Sequence, residues 1–322
     1  MAPISVRSFA KINIGLSIGP ARDDGFHELR TIYQTLALHD LIKVDVARGS
    51  GIEIRCKDPR VPEDETNTCW RVADRVLRSL RQRGKVTITI DKQLPVQGGL
   101  GSASSNAIAT MFALERALKY KLPSGERLRI ASEVGSDLPL FLLGGTVLGL
   151  GRGEQVYPLD DVPAIPIVIA TPGVAISTPK AFAAWDKMNP PAKLTGNGRS
   201  ATIDVFSRSA FDWLSGVPTA GVPAKSGDRA ETLLLDLVRA GIENDFENVV
   251  FSENPELREV KRALEREGAR YASLSGSGST VYGLFRNQSE AAHAAERIRN
   301  NGTPAQATMT LTRREYWAQI FK

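Results

Sequence analysis

A loop of small and polar residues, PVQGGLGSASSNA at positions 95–107, precedes the clearest helical pattern in the sequence. It packs three glycines and three serines into thirteen residues and follows a strand-like segment. A helix that begins after such a loop leaves backbone N–H groups unpaired at its positive end, and glycine lets an anion approach the backbone. The stretch therefore predicts a phosphate site, although a plain connection between strand and helix explains it equally well.

Two common phosphate motifs do not fit this loop. No Gly-Lys-Ser/Thr follows the glycines, and no parallel βαβ pattern with a later acidic residue surrounds them, so neither a P-loop nor a dinucleotide fingerprint is present. The hydroxyls of Ser102, Ser104 and Ser105 could donate to phosphate oxygens or reach a magnesium ion.

Three other positions could contribute to the same site. Lys11 lies inside an alternating strand, Asp137 opens a helical pattern in EVGSDLPLFLLGG, and a second glycine loop occupies positions 275–280. Each has a structural alternative: an edge-strand lysine, a helix cap at Ser136 or Asp137, and an ordinary turn.

Taken together, these segments resemble the galactokinase–homoserine kinase–mevalonate kinase–phosphomevalonate kinase superfamily, and within it the 4-diphosphocytidyl-2-C-methyl-D-erythritol kinase family. The resemblance covers nearly the whole chain outside 187–232, and DGFHEL and GSDLPLFL…GRGE are its most specific parts. The matching segments are AKINIGL at 10–16, DGFHEL at 24–29, GGLGSASSNA at 98–107, GSDLPLFLLGGTVLGLGRGE at 135–154, NDFENVV at 244–250 and SLSGSGSTVYGLF at 273–285.

The resemblance implies an α+β, two-domain kinase fold with the active site between the domains. An N-terminal domain similar to ribosomal protein S5 is expected over 1–163, where ATP and substrate bind, and a ferredoxin-like domain over 164–322. Within the second domain, the Pro-, Gly- and Ser-rich composition of 187–232 predicts a flexible insertion.

Local patterns place the elements around these motifs. Alternating apolar residues predict strands at both ends of the chain, with QATMTLTR as the last strand. GTVLGLGRGEQVYPL predicts a hairpin, YASLSGSGSTVYGLF a strand carrying the second glycine loop, and SDLPLFLLGG the start of a helix.

The resemblance also implies the reaction, which is transfer of the γ-phosphoryl group of ATP, bound as its magnesium complex, to the 2-hydroxyl of the cytidylated methylerythritol. Asp137 is then the base that accepts the hydroxyl proton, and Lys11 stabilises negative charge beside it. The residues expected around the ATP phosphates are Pro95, Gly98, Gly99, Leu100, Gly101, Ser102, Ala103, Ser104 and Ser105, and the second glycine loop adds Ser275, Gly276, Ser277 and Gly278.

For the cytidine end, the resemblance implies that Phe26 stacks on the pyrimidine and His27 hydrogen-bonds to its edge. Phe182 faces Phe26 across the base, while Asn13 and Thr178 bind polar groups of the substrate. Core packing at a strand–helix corner is the alternative for Phe26 and His27.

The loop also departs from its family pattern, which usually reads Gly-Leu-Gly-Gly-Gly-Ser-Ser-Asp. Ser102 and Ala103 replace two glycines, and Asn106 replaces the acid. The change at Asn106 removes a negative charge near the polyphosphate and raises the question of how magnesium is held.

The amino-acid composition limits the possible classes of protein and ligand. The 322 residues carry 42% hydrophobic and 24% charged side chains, which suits a globular protein of two domains. Three histidines and the cysteines Cys56 and Cys69 show no metal spacing, so a zinc site is not favoured. The formal net charge of +5 suits an anionic ligand, but the basic residues are not interleaved with aromatics as in nucleic-acid-binding surfaces.

The sequence shows neither an apolar run long enough to cross a membrane nor a secretory leader, so we expect a cytoplasmic protein without membrane or nucleic-acid partners. Two other functions stay open. One is another small-molecule kinase of the superfamily, of mevalonate or homoserine type, which would not need the cytidine residues. The other is a non-catalytic nucleotide-binding protein, against which the joint presence of Lys11 and Asp137 argues.

Overall fold

Two antiparallel strands form the spine of the first sheet in the computed structural model, which describes residues 3–96, 98–190 and 242–321. Strand β1, Ile4–Ala21, pairs along most of its length with β2, His27–Ala47. The far part of β2 pairs with β4, and its beginning pairs with β5. The other strands of this sheet are β3 (Gly51–Cys56), β4 (Lys85–Asp91), β5 (Thr146–Leu150) and β6 (Gln155–Pro158).

Three helices cover one face of this sheet. The burial pattern of β4 explains this packing. Val86, Ile88 and Ile90 are buried and alternate with more exposed residues, so one face of the strand is apolar. Helix α2 is the most deeply buried of the three, with twelve buried residues from Ser102 to Glu115. The helices are α1 (Thr68–Ser79), α2 (Ser102–Leu118) and α3 (Ser124–Val134).

The second sheet has four strands in the order β10-β7-β9-β8 and begins after residue 163. All five residues of β7 are buried, as expected for a central strand with a continuous apolar run. Its strands are β7 (Pro166–Ala170), β8 (Tyr271–Leu274), β9 (Val281–Leu284) and β10 (Ala305–Met309). The helices around it are α4 (Thr178–Met188), α5 (Phe246–Glu253), α6 (Pro255–Arg266) and α7 (Gln288–Asn300).

Strand β1 contacts the second sheet through two tyrosines. The hydroxyl of Tyr282 donates to the carbonyl of Asn13 at 2.9 Å, and that of Tyr271 donates to the carbonyl of Ile14 at 2.9 Å. Both tyrosines belong to the second sheet, so the strand that carries Lys11 is held from the side of the C-terminal half.

The last helix, α8 (Arg313–Gln319), returns to the first sheet. Tyr316 is 2% exposed in the core of the N-terminal half and donates its hydroxyl to the carbonyl of Phe141 at 2.7 Å. The sequence patterns missed this short helix because its seven residues carry too few apolar positions for a clear period.

A domain boundary near 163 stays a prediction.

Two element predictions need correction. The helix expected in SDLPLFLLGG is a single 3₁₀ turn, Pro139–Leu142, since Gly144 and Gly145, both with positive φ, follow it after one residue. The segment YASLSGSGSTVYGLF is not one strand but the antiparallel pair β8 and β9, joined by the second glycine loop. The hairpin predicted in GTVLGLGRGEQVYPL is present as β5 and β6.

Most of the insertion predicted at 187–232 lies outside the described residues. Within the described ranges, no helix combines the length and the apolar character needed to cross a membrane.

Candidate active site

Lys11 is a buried cation in the middle of β1. Its side chain is 4% exposed, and its Nζ donates to Oδ1 of Asn13 at 2.7 Å. Asn13 in turn donates to the hydroxyl of Thr31, which donates to the carbonyl of Gly15, each at 2.7 Å. A buried ammonium group is costly unless it is paired, and this series of hydrogen bonds pairs Lys11 and fixes its position.

Asp137 lies directly against this lysine. Its Oδ2 is 3.3 Å from Lys11 Nζ, and its Oδ1 accepts a hydrogen bond of 3.0 Å from the hydroxyl of Tyr33. About one third of the Asp137 side chain is exposed, so the carboxylate faces a cavity while its other side is held. Burial, and secondarily the Asp137 charge, raise the pKa of Tyr33 well above its usual value, so Tyr33 stays a donor at neutral pH.

Residues 98–101, here called the phosphate loop, end at the first turn of α2. Gly101 precedes the helix with a left-handed φ of 67°, and no side chain caps the helix. The first backbone N–H group that makes a helical hydrogen bond is that of Ser105, which donates to the Gly101 carbonyl at 2.9 Å. The N–H groups of 102–104 therefore remain available to an anion, at the positive end of a helix of 17 residues.

The phosphate loop packs against the second glycine loop. The N–H of Thr280 donates to the Gly98 carbonyl at 3.2 Å, and the hydroxyl of Ser275 donates to the Gly99 carbonyl at 3.0 Å. A Cβ atom on Gly99 would lie 2.3 Å from the carbonyl oxygen of Ser275, so the two backbones meet only because residue 99 is glycine. Asn244 holds the second loop from behind by donating to the carbonyl of Gly276 at 2.8 Å.

Two cavities share both Gly99 and Gly101 of the phosphate loop, while a third touches Gly99 alone. One, of about 380 Å³, lies beside α1 and α2 and has apolar walls at Val61, Pro62 and Ile90 with Lys92 near them. The other, of about 280 Å³, contains Lys11 and Asp137. Gly99 and Gly101 line both cavities, so an anion on the loop would face Asp137 from the neighbouring cavity. This arrangement suits the transfer of a group from a ligand in the first cavity to one in the second.

Most of the residues expected around a phosphate lie together, while Ser105, Ser275 and Gly278 line neither of these two cavities. Pro95, the four loop residues and the first turn of α2 line the larger cavity, but Ser105 is 2% exposed inside the helix and does not. The hydroxyl of Ser102 donates to a buried carboxylate, that of Asp40, at 2.9 Å. Gly276 and Ser277 of the second loop line the smaller cavity.

The aromatic residues expected at the cytidine end line the smaller cavity. The ring stacked on Phe182 is that of His27, with centroids 4.8 Å apart and planes 10° from parallel. His27 is fixed further by Asp186, whose Oδ1 lies 2.8 Å from its Nε2. Phe26 exposes 50% of its surface at the mouth, so it is not a core residue, and the alternative of core packing does not describe it.

Asn13 and Thr178 also line the smaller cavity. Asn13 uses its side chain to hold Lys11, as described above. The hydroxyl of Thr178 lies 2.8 Å from that of Ser277, which joins the start of α4 to the second glycine loop.

Tyr33 and Arg152 are among the residues of this cavity that the sequence patterns missed. Tyr33 lies in an alternating strand, where an inward-facing tyrosine is ordinary, and its partner Asp137 is 104 positions away. Arg152 belongs to the GRGE segment, but the sequence does not indicate that it contacts Phe26. In the structure its guanidinium carbon lies 4.9 Å from the centroid of the Phe26 ring. It is a cation at the mouth of the cavity, where it supports the exposed aromatic ring.

Comparison with known proteins identifies the family. The model of the GHMP kinases N terminal domain matches residues 67–145, and that of the GHMP kinases C terminal region matches 229–303. A 4-diphosphocytidyl-2-C-methyl-D-erythritol kinase of Solibacter usitatus is 35% identical over 92% of this chain and 86% of its own length. One of Geobacter sulfurreducens is 32% identical over 97% of this chain and 100% of its own length.

Solved structures agree with this assignment. A crystal structure of 4-(cytidine 5'-diphospho)-2C-methyl-D-erythritol kinase superposes with a TM-score of 0.70 at 29% identity, covering 95% of this chain and 98% of that one. A homoserine kinase from Cytophaga hutchinsonii gives a TM-score of 0.72 at 20% identity, which is a likeness of fold alone. The predicted α+β kinase fold is therefore confirmed, and the chain belongs to the 4-diphosphocytidyl-2-C-methyl-D-erythritol kinase family of the GHMP kinases.

Proposed function

We propose that this protein transfers the γ-phosphoryl group of ATP to the 2-hydroxyl of 4-diphosphocytidyl-2-C-methyl-D-erythritol, a step of isoprenoid precursor synthesis. The observation that carries the proposal is the Lys11–Asp137 pair, 3.3 Å apart, in a cavity that shares the glycines of the phosphate loop with its neighbour. The relatives named above carry this activity in their names.

Asp137 is the proposed base. It accepts the proton of the 2-hydroxyl as the oxygen attacks the γ-phosphorus, while the bond from that phosphorus to the bridging oxygen of ADP breaks. Tyr33 and Lys11 hold the two carboxylate oxygens, so the base is oriented before substrate arrives. Lys11 also offsets the negative charge that develops on the attacking oxygen, in a buried setting where such charge stabilisation is strong.

ATP is proposed to bind in the larger cavity, with its phosphates on the first turn of α2 and on the phosphate loop. We propose that it binds as its magnesium complex. No cluster of three His, Cys, Asp or Glu side chains within 3–96, 98–190 and 242–321 could enclose a metal ion. Magnesium bound to a nucleotide commonly takes most of its ligands from phosphates and water. The residues that line the larger cavity fit that mode of binding, in which the protein does not enclose the ion.

A coupled assay of ADP release tests the function. With ATP and magnesium, we expect turnover on the cytidylated methylerythritol and none on mevalonate or homoserine, because only the first ligand fills the aromatic end of the cavity. Phosphorus NMR of the product should show a new phosphomonoester on the 2-hydroxyl. Turnover on mevalonate or homoserine at a comparable rate would contradict the proposal.

Phe26 is proposed to stack on the cytosine, with Arg152 supporting its other side. Phe26→Ala should therefore raise KM for the cytidylated substrate and leave KM for ATP unchanged. Stacking on an aromatic ring is worth about 1–3 kcal/mol per base, so the expected rise is roughly 5- to 150-fold. Steady-state kinetics with each substrate varied in turn measure both constants.

Tyr157→Ala serves as the matched control, because Tyr157 is 51% exposed and lines neither cavity. It should leave both constants at their wild-type values. An equal rise in both KM values for Phe26→Ala would show that Phe26 supports the fold and does not stack on the cytosine.

A further inference from the structure

A fully buried carboxylate lies behind the phosphate loop, outside the site described so far. Asp40, in β2, has no exposed surface, and its Oδ2 accepts hydrogen bonds from Lys92 Nζ at 2.7 Å, Ser102 Oγ at 2.9 Å and Asn106 Nδ2 at 3.1 Å. Its Oδ1 accepts from the backbone N–H groups of Gln93 and Leu94, each at 2.7 Å. A buried charge is stable only with such pairing, and here five donors supply it.

These five donors flank the phosphate loop on both sides. Gln93 and Leu94 lead into it, while Ser102 and Asn106 belong to the first two turns of α2 that follow it. A single rigid group in β2 therefore fixes where the loop begins and where the helix starts. The direction of the free N–H groups of 102–104 depends on both.

Asn106 fits this carboxylate because it offers a donor. Its amide nitrogen points to Asp40, and its amide oxygen accepts a hydrogen bond of 2.6 Å from the hydroxyl of Ser8 in β1. An aspartate at 106 would place a second carboxylate about where the amide nitrogen lies, against Asp40. Lys92, whose ammonium group also lies 2.6 Å from Ser102 Oγ, balances only one negative charge.

We propose that Asp40 is a positioning residue of the kinase reaction, which holds both ends of the phosphate loop in the geometry that binds the ATP phosphates. In this chain Asn106 is its neutral partner, so the cluster keeps one negative and one positive charge. The asparagine thus supports the loop from the second turn of α2, where it also lines the larger cavity. The inference rests on the proposed binding of ATP at this loop.

Four proteins test the proposal: Asp40→Asn, Asn106→Asp, the double exchange, and Glu115→Gln as control. Glu115 is a buried carboxylate at the far end of the same helix, where it pairs with Arg127. Titration calorimetry with magnesium ATP gives Kd between pH 6 and pH 9. Thermal unfolding and KM for the acceptor substrate are measured alongside.

We expect Asp40→Asn to raise Kd for ATP by about tenfold or more, since several charge-assisted hydrogen bonds are lost, with KM for the acceptor unchanged. Asn106→Asp should bind ATP near normally at low pH, where the two carboxylates share a proton, and progressively more weakly as the pH rises. The double exchange restores one carboxylate and one amide, so it should recover most of the affinity. Glu115→Gln should lower the unfolding temperature without changing Kd.

In the part of the chain that the structure describes, a cation and a thiol lie next to Asp40 and bear on the pH dependence. Lys92 is the cation in contact with it, and burial raises the pKa of the nearby Cys69 thiol to about 12, so that thiol stays neutral across the test range. His39, the neighbour in β2, packs on Phe9 and has its Nδ1 2.8 Å from the Ala37 carbonyl. The wild-type pH profile of Kd is the baseline for all variants.

Three results would each overturn the proposal. They are an unchanged Kd for ATP in Asp40→Asn, an equal rise in Kd in Glu115→Gln, and a double exchange whose loss of affinity equals the sum of the losses in the two single variants. If Asp40→Asn does not fold, a Kd of Asn106→Asp that follows the wild-type pH profile overturns it. Failure of the proposed function is distinguishable, because wild-type protein would then not bind ATP or would not phosphorylate the cytidylated substrate.

Discussion

Asp137→Asn is expected to lower kcat by about 10²–10⁴-fold, the range that general base catalysis contributes, while ATP and the cytidylated substrate still bind. Asparagine keeps the size of the side chain and an oxygen for Tyr33, but it cannot accept the hydroxyl proton. The carboxylate is one third exposed, so the change should not disturb the fold. Single-turnover measurement of product, with calorimetry for both ligands, separates chemistry from binding.

Tyr33→Phe is the matched control for this prediction. It removes one hydrogen bond to Asp137 and keeps the base, so a loss of about tenfold is expected, which corresponds to one bond to a charged group. An Asp137→Asn protein that turns over at the wild-type rate would remove Asp137 from the role of base. Equal losses in the two variants would show that orientation rather than proton transfer is what Asp137 provides.

Gly99→Ala is expected to have the second largest effect, through two independent causes. Gly99 has φ of +78°, a conformation that costs a residue with a Cβ about 1–2 kcal/mol. The added Cβ would also lie 2.3 Å from the Ser275 carbonyl oxygen, so the two glycine loops would have to separate. We expect kcat/KM for ATP to fall by about tenfold from the conformational cost alone, and further from the separation.

Gly125→Ala is the control for this variant. A Cβ at Gly125, in the first turn of α3, meets nothing within 4 Å, so alanine should leave kcat/KM unchanged and slightly raise the unfolding temperature. Wild-type kinetics in Gly99→Ala would contradict the close docking of the two loops.

Sequence patterns predicted the parts of this protein that local chemistry dictates. The glycines and serines of 98–105 have a spacing that indicates a helix start, and the structure has α2 begin at Ser102. Lys11 and Asp137 were expected side by side, and the structure places them 3.3 Å apart, 126 positions apart in the chain. That expectation came from the resemblance, because nothing local relates two such distant residues. Their catalytic roles stay predictions.

What the patterns could not predict is the support of the site. The Asp40 cluster draws on four separate stretches of chain, with 53 positions between Asp40 and Gln93 and 98 between Ser8 and Asn106. Each member looks ordinary where it stands, as a polar residue at a strand end or in a helix. Burial creates the requirement for partners, and burial is a property of the finished fold.

The return of α8 to the first sheet bears on the order in which the molecule is made. Tyr316 closes the core beside the 3₁₀ turn that follows Asp137, through its bond to Phe141, 175 positions earlier in the chain. Ribosomes add about 5–20 residues per second, so the N-terminal half waits roughly 10–35 s for the helix that completes it. During that time its apolar surface under α8 is uncovered. A product cut short before residue 313 would lack that covering helix and would leave this apolar surface open.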